Sequence, residues 1–181
     1  AALYWYNVDC PSLLHIGTTT NSEKESGELR VDVDSEFPIY IGNEDDEEDD
    51  GDVYLIRVYD RRVEIRREHQ DVPMYRIANE SSVNILYNQA GSKTHHLVKH
   101  AQSRTIGWDV PARPSHLTIR ITGEDTTTTK IPFTFDMNRV GLQTEMKHQN
   151  GTVSARTEAD GPTLVLRIRD VLSDTEWIVL E

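Results

Sequence analysis

The 181-residue chain has a single cysteine, Cys10, and therefore no internal disulfide. A core of this size stands without bridges, and a lone thiol points to a reducing compartment. No apolar run approaches the ~18 to 20 residues needed to cross a bilayer, and the first residues lack the basic-then-apolar order of a secretion signal. Basic charge is also scarce. Nineteen Lys and Arg against 31 Asp and Glu leave a net charge of -12, which argues against a phosphate backbone as partner. Long apolar stretches with a 3.6-residue period are missing; only His95 to Ser103 predicts a short helix. Catalytic patterns are missing too: there is no G-x-S-x-G or G-x-G-x-x-G, and Gly91-Ser92-Lys93 lacks the first glycine of a Walker loop. Cys10 has no activating neighbour in sequence and reads as a small strand-end or core residue. We therefore expect a non-enzyme without cofactor, and, because strand-like sequence reaches both ends, a segment of a longer protein.

Much of the negative charge is local. Glu44 to Asp50 is an unbroken acidic run with Asp52 just beyond it, and a like-charged block of this kind forms a solvated loop. Asp46, Glu48, Asp50 and Gly51 imitate the first half of a calcium loop, but Arg57 stands where the bidentate glutamate belongs.

What the chain has in quantity is strand sequence. Val, Ile, Leu, Thr and Tyr cluster in runs of four to eight, punctuated by Gly91, Pro111, Pro114, Gly123, Gly141, Asn150-Gly151 and Asp160-Gly161-Pro162. Asn150-Gly151 suits a tight hairpin. The pattern also repeats. Trp5 lies 103 residues before Trp108, and the match continues through Pro11 on Pro114, Ser12 on Ser115, Leu14 on Leu117 and Ile16 on Ile119. After a polar linker (Thr18 to Glu28), Val31-Asp32-Val33-Asp34 alternates like a half-buried strand, as Phe133-Thr134-Phe135-Asp136 does 102 residues later. Tyr54 to Asp60 lies over Leu164 to Asp170 at an offset of 110. The expected architecture is all-β: tandem antiparallel β-sandwich repeats of roughly 100 residues, with residues 1–71 as the C-terminal part of one repeat, carrying the acidic loop 44–52, and 72–181 as a complete one.

Four groups of polar residues invite a functional reading. His95, His96 and His100 are a metal candidate, since His96 and His100 share one face of a helix, but they lack a further ligand at zinc-like spacing. Asn79-Glu80-Ser81 and Asn150-Gly151-Thr152 match the glycosylation pattern, which a chain outside the secretory pathway does not use. Asn79, at a strand end before Glu-Ser-Ser, either bonds its own backbone two residues on and fixes a turn, or lines a site for a partner peptide. Arg57, Arg61, Arg62, Arg66 and Arg67 form a basic band, either an anionic-lipid patch or a solvated strand face paired with nearby carboxylates such as Glu64 and Glu68.

Pro73-Met74-Tyr75-Arg76-Ile77-Ala78-Asn79, then Ile85-Leu86-Tyr87-Asn88-Gln89, then Gly107-Trp108-Asp109-Val110-Pro111, and finally Ala159-Asp160-Gly161-Pro162-Thr163-Leu164-Val165-Leu166-Arg167-Ile168 resemble, in this order, the adaptor-binding module of the vacuolar-protein-sorting thirteen family. The resemblance covers the complete repeat. It implies a β-repeat module of a bridge-like lipid-transfer protein, peripheral on the cytosolic face of organelle membranes at contact sites, that docks adaptor proteins through a Pro-x-Pro motif. Asn79 matches the asparagine characteristic of each repeat. The earlier repeat departs from the pattern, because Trp5-Tyr6 does not reproduce Trp108-Asp109 and the acidic run has no family counterpart. For the docking, a Pro-rich peptide is already extended and loses little entropy on joining a sheet edge. Tyr75, Ile77, Ile85 and Tyr87 are candidates to line its pockets beside Asn79, with ordinary core packing as the competing role. The expected function is non-catalytic peptide binding that recruits the parent protein to membranes, with direct binding of anionic lipid as the alternative.

Overall fold

A computed structural model describes residues 2–4, 13–14, 17–18, 21–25, 29–31, 33–41, 52–60, 62–69, 71–122, 132–141, 143–148 and 151–171. The described chain is all-β: β1 (Ala2–Tyr4), β2 (Leu13–Leu14), β3 (Gly17–Thr18), β4 (Asn21–Glu25), β5 (Leu29–Arg30), β6 (Ser35–Ile41), β7 (Asp52–Tyr59), β8 (Arg62–Arg67), β9 (Tyr75–Glu80), β10 (Asn84–Gln89), β11 (His96–Val98), β12 (Gln102–Thr105), β13 (His116–Thr122), β14 (Phe133–Asp136), β15 (Gln143–His148), β16 (Gly151–Asp160) and β17 (Thr163–Asp170). Sheets run in the orders β1-β8-β7-β6, β11-β10-β13-β14 and β12-β9-β17-β16-β15, with two small ribbons, β2-β5 and β3-β4. Pairing is antiparallel except between β9 and β17, which run parallel.

Alternation explains the sandwich of the second half. In β13, Leu117, Ile119 and Ile121 are buried while the residues between them are half-exposed, so one face of the sheet is apolar. It packs with Ile85, Tyr87, Val98 and Phe135 against Tyr75, Ile77, Met146, Val153, Ala155, Leu166 and Ile168 of the facing sheet. A second, smaller core gathers Ile39, Ile41, Ile56, Val58 and Val63 from β6, β7 and β8. Phe37 packs against both cores.

Four local expectations change. His95 to Ser103 is not a helix: Ile85 pairs with Val98 across β10 and β11, and Ala101 at φ 56° turns the chain into β12. The Thr18 to Glu28 linker contains β4, paired back on β3. Of Val31 to Asp34, the described residues precede the strand, which starts at Ser35; Val31 packs against the smaller core while Val33 is exposed. The hairpin near Asn150-Gly151 closes on the pair His148 and Gly151, so Gly151 is the first strand residue and Asn150 lies outside the described residues.

The hairpins offer a second alignment beside the offset of 110. The hairpin β7–β8 closes on Tyr59 opposite Arg62 and the hairpin β16–β17 on Asp160 opposite Thr163; the first turn residue has positive φ in each, Asp60 at 44° and Gly161 at 59°. Superposing these turns sets β7 on β16 and β8 on β17 at an offset of 101, close to the 103 of the tryptophans. The turns align whole hairpins, β7–β8 on β16–β17, whereas the offset of 110 sets the single strand β7 on β17.

The two halves meet along a seam. The strand that pairs with β9 continues past β12: the Ile106 N–H donates to the Tyr75 carbonyl at 3.0 Å. Two residues later the chain has switched partner, the Trp108 N–H donating to the Pro38 carbonyl at 2.9 Å and the Tyr40 N–H to the Trp108 carbonyl at 3.3 Å. Gly107 permits this approach, since a Cβ there would lie 2.5 Å from the Tyr40 nitrogen and 2.6 Å from the Ile39 carbonyl carbon. Gly107→Ala is therefore expected to lower stability by about 3 kcal/mol, read as a lower urea midpoint by circular dichroism.

Candidate functional site

Asn79, the last residue but one of β9, is 1% exposed. Its Nδ2 donates to the carbonyls of Val83 at 2.7 Å, Lys99 at 3.1 Å and Val98 at 3.2 Å. Its Oδ1 accepts from the Ser81 hydroxyl at 2.6 Å and the Ser81 N–H at 3.2 Å. One carboxamide thus ties the β9–β10 turn to the β11–β12 turn, joining the two sheets at one end of the sandwich. The turn has further anchors. The Ser82 N–H donates to Asp170 at 2.9 Å, and Glu80 pairs with Arg169 at 2.7 Å and with Arg167. The Arg169 hydrogen bond, with Arg167 behind it, holds the Glu80 carboxyl below its usual range. Because the Asn79 amide is fully engaged, the turn-fixing role is the one its geometry supports, and the same engagement makes it a poor glycosylation acceptor in the folded chain.

Gln89 does the corresponding work at the other end of β10. Its Nε2 donates to the Val110 carbonyl at 2.9 Å while its Oε1 accepts from the Val110 N–H at 2.8 Å, so it copies a strand neighbour for the Trp108 to Pro111 loop. Trp108, 2% exposed, meets Tyr75 edge-on at 5.2 Å. Asp109 lies 3.4 Å from His96 Nε2, and its other oxygen is buried without a partner. His96 in turn stacks between Tyr40 of β6, at 4.5 Å, and Tyr87 of β10, at 5.1 Å.

Tyr75, Ile77, Ile85 and Tyr87 are all buried. They form the wall of the core rather than an open pocket, and the Tyr75 hydroxyl donates to Asn138 at 2.8 Å. Any contribution to a binding site runs through the strands they hold. Of these, β9 carries β12, the end strand of its sheet. Since Ile106 and Tyr75 share a hydrogen bond, the alternate residues Ser103 and Thr105 turn their N–H and C=O groups away from β9 and toward an edge that is open among the described residues.

The three histidines do not converge. His95 faces Arg120 at 3.3 Å, His96 faces Asp109, and the His100 N–H donates to Asn84; no group of three potential metal ligands occurs among the described residues. The basic band is tied to its own sheet: Arg57 pairs with Glu36 at 2.9 Å, Arg66 with Glu36 at 3.6 Å, and Arg67 with Asp52. Arg61, Trp5, Cys10 and the acidic run 44–50 lie outside the described residues. Glu68 does not join the band. It is buried after β8, with one oxygen unpartnered, and burial raises its pKa against the backbone N–H bonds of His69 and Met74.

The roles of Gln89, Gly107 and Asp170 escaped the sequence reading, although Gln89 and Gly107 sit inside the motifs. The signal available was the glycine directly before a buried tryptophan. No protein-family model and no curated protein matches the chain.

Replacing Asn79 with serine removes the Nδ2 hydrogen bonds to the Val83, Val98 and Lys99 carbonyls, because the shorter side chain cannot span two turns. We expect Asn79→Ser to cost roughly 3 kcal/mol. Thermal melting checks this, and an unchanged melting temperature would refute the staple.

Proposed function

We propose that the chain is a non-catalytic peptide-binding module that recruits a bridge-like lipid-transfer protein to organelle membranes by capturing Pro-x-Pro motifs of adaptor proteins. Support comes from the four ordered motifs and from the open edge of β12, which sits directly on the β9 strand that carries Tyr75, Ile77 and Asn79. This edge is the observation that carries the reading. Successive residues of an extended segment face alternately toward and away from a ladder, so two prolines separated by one residue both fall where no N–H is needed. The middle residue then offers its N–H and C=O to Ser103 or Thr105. A polyproline-like segment is also partly ordered beforehand, which reduces the entropy lost on docking. In this reading Asn79 acts indirectly, since it fixes the β11–β12 turn that aims the edge. The basic band gives less support to the lipid alternative, because Arg57, Arg66 and Arg67 are already paired with carboxylates.

The test is calorimetric titration with a Pro-x-Pro adaptor peptide and with its double Pro→Ala version. The expected result is binding of the first alone, abolished by Ser103→Pro, which blocks the outward N–H of β12 and leaves the β9 ladder intact. Equal or absent binding of both peptides would overturn the reading.

A further inference from the structure

The seam between the halves is one half of a repeating arrangement. With the β7–β8 and β16–β17 turns superposed, Leu55 falls on Arg156 and Val53 on Ser154. Their strand partners then correspond as well: Pro38, opposite Leu55, falls on Gln143, opposite Arg156, and Tyr40, opposite Val53, falls on Glu145, opposite Ser154. Pro38 and Tyr40 are the two residues of β6 that hold Trp108 through the backbone. Ile41 falls on Met146 by the same step, and both face their cores. So β15 repeats β6 in register, in position at the end of its sheet, and in which side faces inward.

The two strands differ in what lies beyond them. Among the described residues, β6 has Gly107–Trp108 against its outer edge, whereas β15 ends its sheet with nothing paired there. We infer that the outer edge of β15 is a docking edge for the glycine–tryptophan strand of a second copy of this fold, through the Gln143 carbonyl and the Glu145 N–H. The side chains suit this occupant. In the seam, the Arg104 guanidinium lies 6.0 Å from the Tyr40 ring centre; with Glu145 in the place of Tyr40, that guanidinium meets a carboxylate. The donor must be a folded unit, because Trp108 is buried in its own core while its backbone reaches across. The contact joins different surfaces of the two partners, so it propagates head to tail rather than closing a symmetric pair. Within one chain the Gly107–Trp108 strand is already occupied by β6. Exposed Glu145 and Lys147 meanwhile guard the free edge against indiscriminate pairing.

Freeing the strand tests the inference. Tyr40→Pro removes the N–H that holds Trp108 at β6, and Tyr40→Ala weakens the same seam by removing only the ring. Either variant, with strand content retained by circular dichroism, is expected to self-associate in sedimentation velocity, its average mass rising with concentration. Adding Glu145→Pro or Gly107→Ala should return it to a monomer. Proline is tolerated at this kind of edge, since Pro38 occupies the neighbouring register position in β6. A Tyr40→Ala chain that stays monomeric, or association that persists with Glu145→Pro, overturns the inference.

Discussion

The sandwich depends on one buried carboxamide. Two β-sheets packed face to face need their end turns tied together, and each buried hydrogen bond lost at such a turn costs about 1–3 kcal/mol. Asn79 places two N–H groups within reach of three carbonyls from two turns, while its own oxygen is taken by Ser81. An aspartate has no N–H to give and a serine cannot reach both turns. The residue type follows from donor count and length.

At the far end the constraint is steric. Gly107 lets a strand leave β9 and join β6 within two residues, carrying Trp108 into one core while its backbone closes the edge of another sheet. Gln89 holds the loop that follows. The motif residues in the middle of the chain are therefore anchors of architecture. They position strand edges, among them β12, and the proposed peptide capture rests on that edge.

Much of this was legible in the sequence because period-two alternation reports directly on burial. Leu117, Ile119 and Ile121 alternate with polar residues in the sequence, and all three are buried. Asn79 was legible as a turn former, but its reach to Val98 and Lys99, about twenty residues away, was not, since no local pattern encodes which distant turn lies beside it. The His95 to Ser103 error has the same origin: a short polar stretch with mixed spacing is decided by its tertiary neighbours, here the Asn79 amide and the Ile85–Val98 pair. The tryptophan pair and the match of β7 to β17 suggest repeats at different offsets, because apolar runs of one period align at several shifts. Only the positive φ of Asp60 and Gly161 identifies the shift at which the hairpins coincide. Burial of Tyr75, Ile77, Ile85 and Tyr87 was the competing role for residues first considered as pocket walls, because composition alone does not separate a core from a groove.

The central claim is that the Asn79 amide welds the two end turns into one rigid corner. Native-state hydrogen exchange at the Ser81 backbone N–H, which donates to Asn79 Oδ1, measures this most directly. The account predicts exchange as slow as that of core strand amides such as Ile77 and Ile85, requiring opening of the whole sandwich. Exchange at the rate of an ordinary surface turn would contradict it.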